Sequence, residues 1–346
     1  MRNGGVVVTI SDIASRAGVS KAAVSYAFNS PARLAPQTVE RILAIAEELG
    51  YSPNPVARSM SIGRTGTIGV LVPQPLDDVL GNPFFSEFLK GVAEVAGEAD
   101  HPILLVSPVK GSVQRAIGGA AVDGFLTLGL ETFRPTMHLL ERRGLPYVMV
   151  DSDPIEGVAC VNVDDEGGAY QAMRHLLEHG HRAIGILGIR SPQRGRWEKY
   201  SGTLHRRMTG YARALAEYDL AVGESGVRLV ECEVTAEGGR AGLQRFLKKG
   251  STPTAFVAMS DVIAIGALEA ALEQGFHVPD DLSFVGFDDI LESTWLRPSL
   301  TTIRQPSKEK GRTAAALLLS LLARAETPRN VVLSTELVER ESVRTL

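Results

Sequence analysis

The pattern of apolar positions near the N-terminus predicts two short helices separated by a turn. In VTISDIASRAGVSKAAVSYAFNS, residues 8–30, apolar residues recur every three or four positions on either side of a glycine, which is the spacing of one face of a helix. Thr9 and Asp12 have the spacing of a capping box for the first helix, and Gly18 permits a tight turn. Ser20 is a favourable N-cap for the second helix. The segment therefore has the pattern of a helix-turn-helix.

The outward face of the second helix carries residues suited to contact DNA. In a helix-turn-helix the second helix enters the major groove, and its apolar residues leave the opposite face available for contacts. From the helix starts and this face, we predict DNA contacts by Thr9, Ser20, Lys21, Ala22, Ser25, Tyr26 and Asn29.

A third helix and a short helical segment follow. Pro36 is placed to start the third helix and Gly50 to end it, so a three-helix head is predicted over residues 1–53. Residues 54–65 contain a short amphipathic piece and then glycines. A helix this short does not persist alone in water. We predict a hinge helix and linker that order on DNA or against a partner chain.

From residue 66 onward the pattern changes to strands that alternate with helices. Runs rich in valine, isoleucine and leucine are separated by amphipathic stretches, which is typical of parallel sheets built from βαβ units. The predicted strands form two series, Thr67–Val72, Ile103–Ser107, Gly124–Leu128 and Tyr147–Val150, then Ala183–Leu187, Val227–Cys232, Ala255–Met259 and Leu282–Gly286. A break near residues 163–165 separates them. The predicted fold class is α/β, with two lobes that bind ligands at the carboxyl ends of their strands.

Six further stretches complete a resemblance to the lactose/galactose repressor (LacI) family of bacterial transcriptional regulators. They are NPFFSEFLKGV (82–92), VDGFLTLG (122–129), HGHRAIGILG (179–188), PTAFVAMSDVIAIGALEAALEQG (253–275), VPDDLSFVGFDD (278–289) and PSLTTIRQP (298–306). The resemblance implies a hinged receptor like the periplasmic binding proteins, with lobe 1 at 66–163 and 296–325 and lobe 2 at 164–295 and 326–346. It also implies a DNA-binding regulator, expected to be a repressor, that is controlled by a small polar effector.

The same resemblance assigns roles in DNA binding. Asn54 and Arg58 would contact phosphates, and Met60 would enter the minor groove at a position where relatives carry leucine. Tyr26 stands where arginine is common in relatives, so the preferred base at that position is expected to differ. Since a two-fold dimer presents two identical heads, the operator is expected to be near-palindromic double-stranded DNA.

Several residues are candidates for the effector site. Asp261 follows a predicted strand with an acceptor-only carboxylate that two adjacent hydroxyls could bond, and it resembles the family's ligand-binding aspartate, although Ser260 replaces the usual asparagine. Arg207 resembles the arginine at the pocket mouth and offers a fork of donors. The full predicted set is Phe84, Phe85, Asp151, Trp197, Arg207, Asp261, Phe287 and Gln305. We expect a carbohydrate that weakens DNA binding; a purine or sugar-phosphate corepressor is the alternative.

One stretch, residues 190–206, is longer than the usual family loop and contains basic residues together with Trp197 and Tyr200. An aromatic face beside basic side chains could stack on a sugar ring and meet an acidic or phosphorylated group. The alternative, which the sequence favours equally, is that this stretch is a solvated surface loop with no role in binding.

The distribution of charge and cysteine narrows the class of protein. Residues 1–64 hold seven Lys/Arg and four Asp/Glu, or +3, which leaves 29 against 36, or −7, for the rest of the total of −4. A head with so little positive charge should bind DNA weakly unless it is paired in a dimer. Two cysteines cannot form a disulfide framework and are expected to be buried thiols. There is neither an apolar run of about 20 residues nor a signal-peptide pattern, so we expect no membrane partner and a cytoplasmic location.

Alternative classes of function fit less well. His175, Glu178 and His179 spell H-x-x-E-H, a zinc-protease signature, but no third ligand is positioned. We find no nucleophile elbow, phosphate-binding Walker loop or metal-spaced cysteines, and expect no enzyme activity, metal or cofactor. A secreted solute-binding receptor would share the two lobes but have no use for the head.

The assembly is expected to stop at a homodimer. A heptad zipper that pairs dimers needs several repeats, and only three residues follow Val343. The predicted dimer faces are the helix that follows Phe84 and the helix Val262–Gln274.

Overall fold

The computed structural model describes residues 8–52, 59, 62–129, 134–191, 196–224, 226–248, 253–325 and 330–346. The chain divides into two compact units, residues 1–66 and 67–346. None of the helices in these described ranges is long and apolar enough to cross a bilayer.

The head contains the three predicted helices, α1 (Ile10–Ala17), α2 (Lys21–Asn29) and α3 (Pro36–Glu48). The Asp12 carboxylate accepts hydrogen bonds from the Thr9 backbone N–H and hydroxyl, each at 2.8 Å. The Ser20 hydroxyl accepts from the Ala23 N–H at 3.1 Å, so both predicted caps are confirmed. The helices enclose one small core of Ile13, Ala14, Ala17, Val24, Ala27, Ile42 and Ala46.

The body begins with five strands and four helices of a first lobe. In chain order they are β1 (Ile68–Leu71), α4 (Leu76–Leu80), α5 (Pro83–Glu98), β2 (Ile103–Val106), α6 (Val113–Gly119), β3 (Gly124–Leu128), α7 (Arg134–Arg142), β4 (Tyr147–Val150) and β5 (Ala159–Val163).

A second lobe follows, and the chain then passes between the lobes. The next elements are α8 (Asp165–Glu178), β6 (Ile184–Ile189), α9 (Gly202–Ala216), β7 (Arg228–Cys232), α10 (Ala236–Leu247), β8 (Ala255–Ala258), α11 (Asp261–Glu273) and β9 (Ser283–Asp288). The last are β10 (Thr301–Arg304), α12 (Ser307–Leu322), β11 (Asn330–Leu333) and β12 (Glu336–Val338). All eight predicted strands are present within one or two residues of their predicted bounds.

Each lobe is built on one six-stranded sheet. The first sheet has the order β11-β5-β4-β3-β1-β2, and the second has the order β12-β10-β9-β8-β6-β7. All neighbours in both sheets are parallel except β10 and β12, which are antiparallel. Apolar residues pack on the faces of both sheets, and Cys160 and Cys232 are buried free thiols, as predicted.

The crossings between lobes differ from the predicted ones. β10 pairs with β9, so residues 301–304 belong to the second lobe and the return to the first comes after them, not at residue 296. β11 pairs with β5, so the second return follows residue 333, not residue 325. The helix between these strands, α12, packs on α5 so closely that a Cβ at Gly311 would lie 2.1 Å from the Phe88 carbonyl oxygen. That close backbone contact fixes α12 in the first lobe.

Candidate nucleic-acid interface and effector site

The predicted DNA-reading face is present on α2. Val24 and Ala27 are buried in the core of the head, so the opposite side of the helix faces away from it. Lys21, Ala22 and Tyr26 on that side are exposed, and Tyr26 is 38% exposed. This arrangement leaves a short helix face available to a partner.

Tyr26 and Asn29 both have intramolecular contacts. The Arg33 guanidinium carbon lies 5.2 Å from the centroid of the Tyr26 ring, a cation–π distance. The Asn29 side-chain N–H₂ donates to the Ser25 hydroxyl at 3.3 Å. Arg33 therefore adds a positive charge beside the predicted reading face that sequence reasoning did not include. Asn54, Arg58 and Met60, the predicted hinge contacts, lie outside the described residues.

In the body, polar side chains from the two lobes form a continuous hydrogen-bonded chain. Lys310, on α12 of the first lobe, donates to Asp151 Oδ1 at 2.6 Å and to Gln305 Oε1 at 2.7 Å. Gln305 in turn donates through Nε2 to Asp288 Oδ1 at 2.5 Å. Asp288 also accepts from the Ser260 hydroxyl at 2.8 Å. We call Asp151, Lys310, Gln305, Asp288 and Ser260 the polar relay.

The polar relay lies at the carboxyl ends of strands from both sheets. Asp151 follows β4 of the first sheet, whereas Ser260, Asp288 and Gln305 follow or end β8, β9 and β10 of the second. Two of these, Asp151 and Gln305, were predicted site residues. The relay therefore forms where open α/β sheets bind ligands.

Arg207 lies beside the polar relay and is 4% exposed. It donates through Nε to Asp165 Oδ1 at 2.9 Å and through Nη1 to the Met259 carbonyl oxygen. Its guanidinium carbon lies over the Phe287 ring, 3.6 Å from the ring centroid. Burial opposes its charge, but Asp165 and Asp288 outweigh burial and raise the pKa of Arg207. The group is therefore a permanently charged donor held over an aromatic ring.

Arg206 provides a second connection between the lobes. Its guanidinium donates to Asp165 Oδ2 in the second lobe at 3.1 Å and to Asp153 Oδ1 in the first at 3.2 Å. The Gly202 N–H, at the start of α9, donates to the other oxygen of Asp153 at 3.0 Å. Separation of the lobes would break both bonds to Asp153.

Asp261, the principal predicted effector residue, is enclosed by groups of the protein. It is fully buried and accepts from the Ile290 N–H at 3.0 Å, the Ser293 hydroxyl at 2.7 Å and the Thr302 hydroxyl at 2.5 Å. Burial and nearby Asp288 raise the pKa of Asp261 to about 7. Its three donors connect α11 to the turn after β9 and to β10, so Asp261 positions these elements. Direct hydrogen bonds from Asp261 to an effector stay a prediction; in this structure the protein itself supplies the three donors to its carboxylate.

The predicted aromatic residues are divided among different places. The Phe84 ring lies 4.8 Å from Lys310 Nζ and so flanks the polar relay, and Phe287 supports Arg207. Phe85 is 1% exposed and stacks on Phe88 in the core, so the structure does not bring it to the polar relay. Trp197 lines a separate cavity beside β7, and the structure does not bring it to the relay either.

Two central residues, Asp288 and Lys310, were missed by sequence reasoning. Asp288 lies two residues after the predicted strand Leu282–Gly286. Asp261 has the same position relative to its own predicted strand, so the reasoning that selected Asp261 could have selected Asp288 as well. Lys310 lies among Gly311, Ala314 and other small or apolar residues on the buried face of α12. A lysine on such a face was the available signal, because lysine is rarely buried without a partner.

The H-x-x-E-H sequence does not form a metal site. Glu178 pairs with Arg174 at 2.8 Å, and His179 Nδ1 lies 2.8 Å from the His175 carbonyl oxygen. Across the described ranges, no three His, Cys, Asp or Glu side chains are grouped so that they could hold a metal ion.

Comparison with known families matches both parts of the chain. Residues 9–54 match the model of bacterial regulatory proteins of the lacI family. Residues 173–343 match the periplasmic binding protein-like domain. The matched regions contain the helix-turn-helix and most of the second lobe.

Individual relatives match over nearly the whole length. The chain is 34% identical to the ribose operon repressor of Haemophilus influenzae, over 98% of this chain and all of that protein. It is 31% identical to the HTH-type transcriptional repressor PurR of Photobacterium profundum, over 98% of this chain and all of the relative. Among solved structures, the complex of the transcriptional regulator CelR with cellobiose is similar, with a TM-score of 0.70, 28% identity and coverage of 97% of this chain and 99% of the other.

Proposed function

This chain belongs to the LacI family of bacterial regulatory proteins, and we propose that it is a transcriptional repressor whose operator affinity is controlled by a small polar effector bound between its lobes. The observation that carries this proposal is the polar relay, in which a carboxylate of one lobe is joined through Lys310 and Gln305 to a carboxylate of the other. An effector that replaces any of these bonds changes the free-energy difference between conformations in which the two lobes are arranged differently. Allosteric control requires such a change.

The head supports sequence-specific binding to a near-palindromic operator. Tyr26 and Lys21 are exposed on α2, and the Arg33 guanidinium lies beside Tyr26. A dimer would present two such heads to two half-sites. Selection from a random duplex library should recover sites with dyad symmetry; sites without it would contradict the dimeric mode.

The hinge proposal rests on the resemblance and concerns Met60. An apolar side chain inserted at a base step in the minor groove favours bent DNA, with Asn54 and Arg58 on the phosphates beside it. Met60→Ala should weaken operator binding in fluorescence anisotropy and leave effector affinity unchanged. Equal operator affinity in the variant would refute the wedge.

A carbohydrate is the favoured effector class. Asp288 offers carboxylate oxygens and Arg207 offers guanidinium donors beside an aromatic ring, which are groups that recognise hydroxyls. The ribose operon repressor and the CelR–cellobiose complex, similar over 97% or more of this chain, are regulators with sugars in their names. The similarity to PurR makes a purine corepressor the second candidate.

We place this regulator in the cytoplasm, where the chromosome is, and propose that it acts as a homodimer without enzymatic activity. Relatives along the whole chain are named as repressors, and a regulator needs no chemistry beyond binding.

The test of the effector site compares two adjacent carboxylates. With a selected operator, D-ribose, cellobiose and purine bases are screened for their effect on binding by full-length protein. Asp288→Asn should keep operator binding and lose the response. The control is Asp289→Asn, since that carboxylate is also nearly buried but pairs with Arg304 and Arg340.

A second variant decides the matter if Asp288→Asn folds poorly. Arg207→Lys keeps the positive charge but loses the guanidinium over the Phe287 ring and should weaken the response by about ten-fold or more. A normal response in Arg207→Lys would then refute the site, as would a normal response in Asp288→Asn where that variant folds.

A further inference from the structure

A cavity of about 1050 Å³ lies at the outer edge of the second sheet. It borders β7, which is the edge strand of that sheet. Strand β6 separates β7 from β8, β9 and β10, the strands whose carboxyl ends carry residues of the polar relay. Its lining includes Arg190, Trp197, Arg228, Glu231, Arg245 and Lys248. The volume is slightly above the range usual for small-molecule sites, roughly 300–1000 Å³.

The lining is more positive than the rest of the body. Four cations line it, Arg190, Arg228, Arg245 and Lys248, together with two carboxylates, Glu198 and Glu231. Arg190 also pairs with Glu233, so the excess of positive charge comes from the other three cations. By contrast, residues 65–346 together hold 36 Asp/Glu and 29 Lys/Arg. A positive cavity on an acidic body attracts small anions selectively over short distances.

Contacts within the protein hold several of these cations in place. Arg245 donates through Nη2 to the Glu231 carbonyl oxygen at 2.7 Å, so its guanidinium is fixed against the strand edge. The Arg228 guanidinium carbon lies 5.1 Å from the centroid of the Phe246 ring. Lys248 forms no ion pair with a carboxylate in the described part of the chain. The cavity therefore combines fixed guanidinium groups with one available ammonium.

Trp197 supplies an apolar surface beside these charges. It is half-buried and packs against the core of the second lobe, and Val222 and Leu229 also line the cavity. An indole face suits a flat ring, and its N–H can donate. The sequence left open whether this stretch forms an aromatic and basic site or a solvated surface loop, and in the structure Trp197 lines this cavity and not the polar relay.

We propose that this cavity is a second ligand site, which binds a small ring-bearing phosphomonoester with its ring on Trp197 and its phosphate between Arg245 and Lys248. Guanidinium groups bond phosphate oxygens in pairs, and an ammonium adds a compact charge. The site is separate from the effector site of the proposed function, so the chain binds two different small molecules.

Fluorescence of full-length protein tests the proposal because the chain has two tryptophans. Trp295 is 64% exposed and does not line the cavity, so Trp295→Phe leaves Trp197 as the reporter. Adenosine 5′-monophosphate and ribose 5-phosphate are titrated, with adenosine and inorganic phosphate for comparison. A saturable change with a phosphomonoester, at least about ten-fold tighter than with adenosine or phosphate, is expected.

Variants locate the ligand. In the Trp295→Phe background, Arg245→Met and Lys248→Met should each weaken binding about ten-fold. Arg142→Met, a change of an exposed arginine on α7 in the first lobe, should leave it unchanged. Asp288→Asn, which alters the polar relay, should also leave it unchanged.

Three results would overturn the proposal. The first is no saturable response to either phosphomonoester, and the second is unchanged binding in Arg245→Met and Lys248→Met. The third is loss of the Trp197 response in Asp288→Asn alone, which would place the ligand at the polar relay.

Discussion

Lys310 is a charged residue on the buried face of an otherwise small and apolar helix. Its side chain is 1% exposed and pairs with Asp151, which is 14% exposed. Removal of an ammonium from water costs several kcal/mol, which the Asp151 and Gln305 bonds must offset. The net contribution of the intact pair to the free energy of unfolding is therefore small. The larger effect is the loss of stability when one partner is removed and the other is left buried without its counter-charge.

Lys310→Met should destabilise the body by about 3 kcal/mol, because it leaves the mostly buried Asp151 without its cation. The double variant Lys310→Met with Asp151→Asn should recover much of this loss, because neither charge then remains. The free energy of unfolding in urea, measured at neutral pH, provides both values.

Lys308→Met is the matched control for that change. Lys308 is on the same helix, is 49% exposed and pairs with Glu94, so its loss should cost no more than about 1 kcal/mol. Equal losses for the two lysines, or no recovery in the double variant, would show that the buried pair does not stabilise the lobe.

At the scale of elements, the C-terminal segment is fixed to the second lobe by hydrogen bonds near His181. The Leu346 N–H donates to the His179 carbonyl oxygen at 2.9 Å, and His181 Nε2 lies 3.1 Å from the Arg344 carbonyl oxygen. On the other side of the ring, His181 Nδ1 lies 2.9 Å from the Thr254 hydroxyl. The neutral imidazole satisfies both contacts, as donor to one and acceptor from the other.

We expect His181 to contribute stability that is lost as the pH falls, because this side chain is protonated more readily in the unfolded chain than in the folded one. Asp261, whose pKa is raised to about 7, acts in the opposite sense over the same range, so the His181 contribution is the difference between the wild type and a His181 variant. Burial lowers the pKa of His181 to about 4. Between pH 4 and its ordinary pKa the unfolded chain binds more protons, so this stabilisation is present above about pH 6.5 and is lost progressively toward pH 4. The loss amounts to as much as about 3 kcal/mol.

The measurement compares unfolding free energies at pH 7, 5.5 and 4.5. His181→Gln, which keeps an amide donor, should remove this contribution, so its free energy of unfolding should fall less, or rise more, than that of the wild type as the pH is lowered. His138→Gln should retain it, because the His138 side chain is 71% exposed. A wild-type slope in His181→Gln would exclude His181 as the source.

At the scale of the whole molecule, charge and assembly bear on DNA affinity together. The first 64 residues are +3 and the remainder is −7. Since phosphate contacts set the non-specific affinity, one head gives little binding, and a dimer with two heads is needed. Light scattering at micromolar concentration should give a dimer; a tetramer would contradict the predicted assembly.

Effector and operator affinities should be coupled equally in both directions. Coupling of this kind is usually about 1–3 kcal/mol, which is a 5–150-fold change in affinity. The dissociation constant of the effector found in the screen is measured for free protein and for operator-bound protein. The dissociation constant of the operator is then measured with and without that effector. The ratio of the two effector constants should equal the ratio of the two operator constants. Identical effector affinities in both states would show that the two sites are uncoupled.

The sequence by itself determined most local features. Helix caps at Thr9 and Ser20, the strand series and the buried cysteines follow from periodicity and from residue preferences that act over a few positions. These signals are local, because hydrogen bonds within a helix turn and alternation along a strand need no information from the rest of the chain.

Only the tertiary structure decided which side chains meet. Asp261 and Asp288 both lie at strand ends in the sequence, but the packing of β10 and the turn after β9 encloses one and joins the other to the polar relay. The lobe crossings also depended on pairing, since β10 joins β9 and β11 joins β5. Lys310 pairs with Asp151 across 159 residues of chain, and Trp197 lies beside β7 rather than the relay. Such contacts arise from the packing of distant elements, which no local pattern encodes.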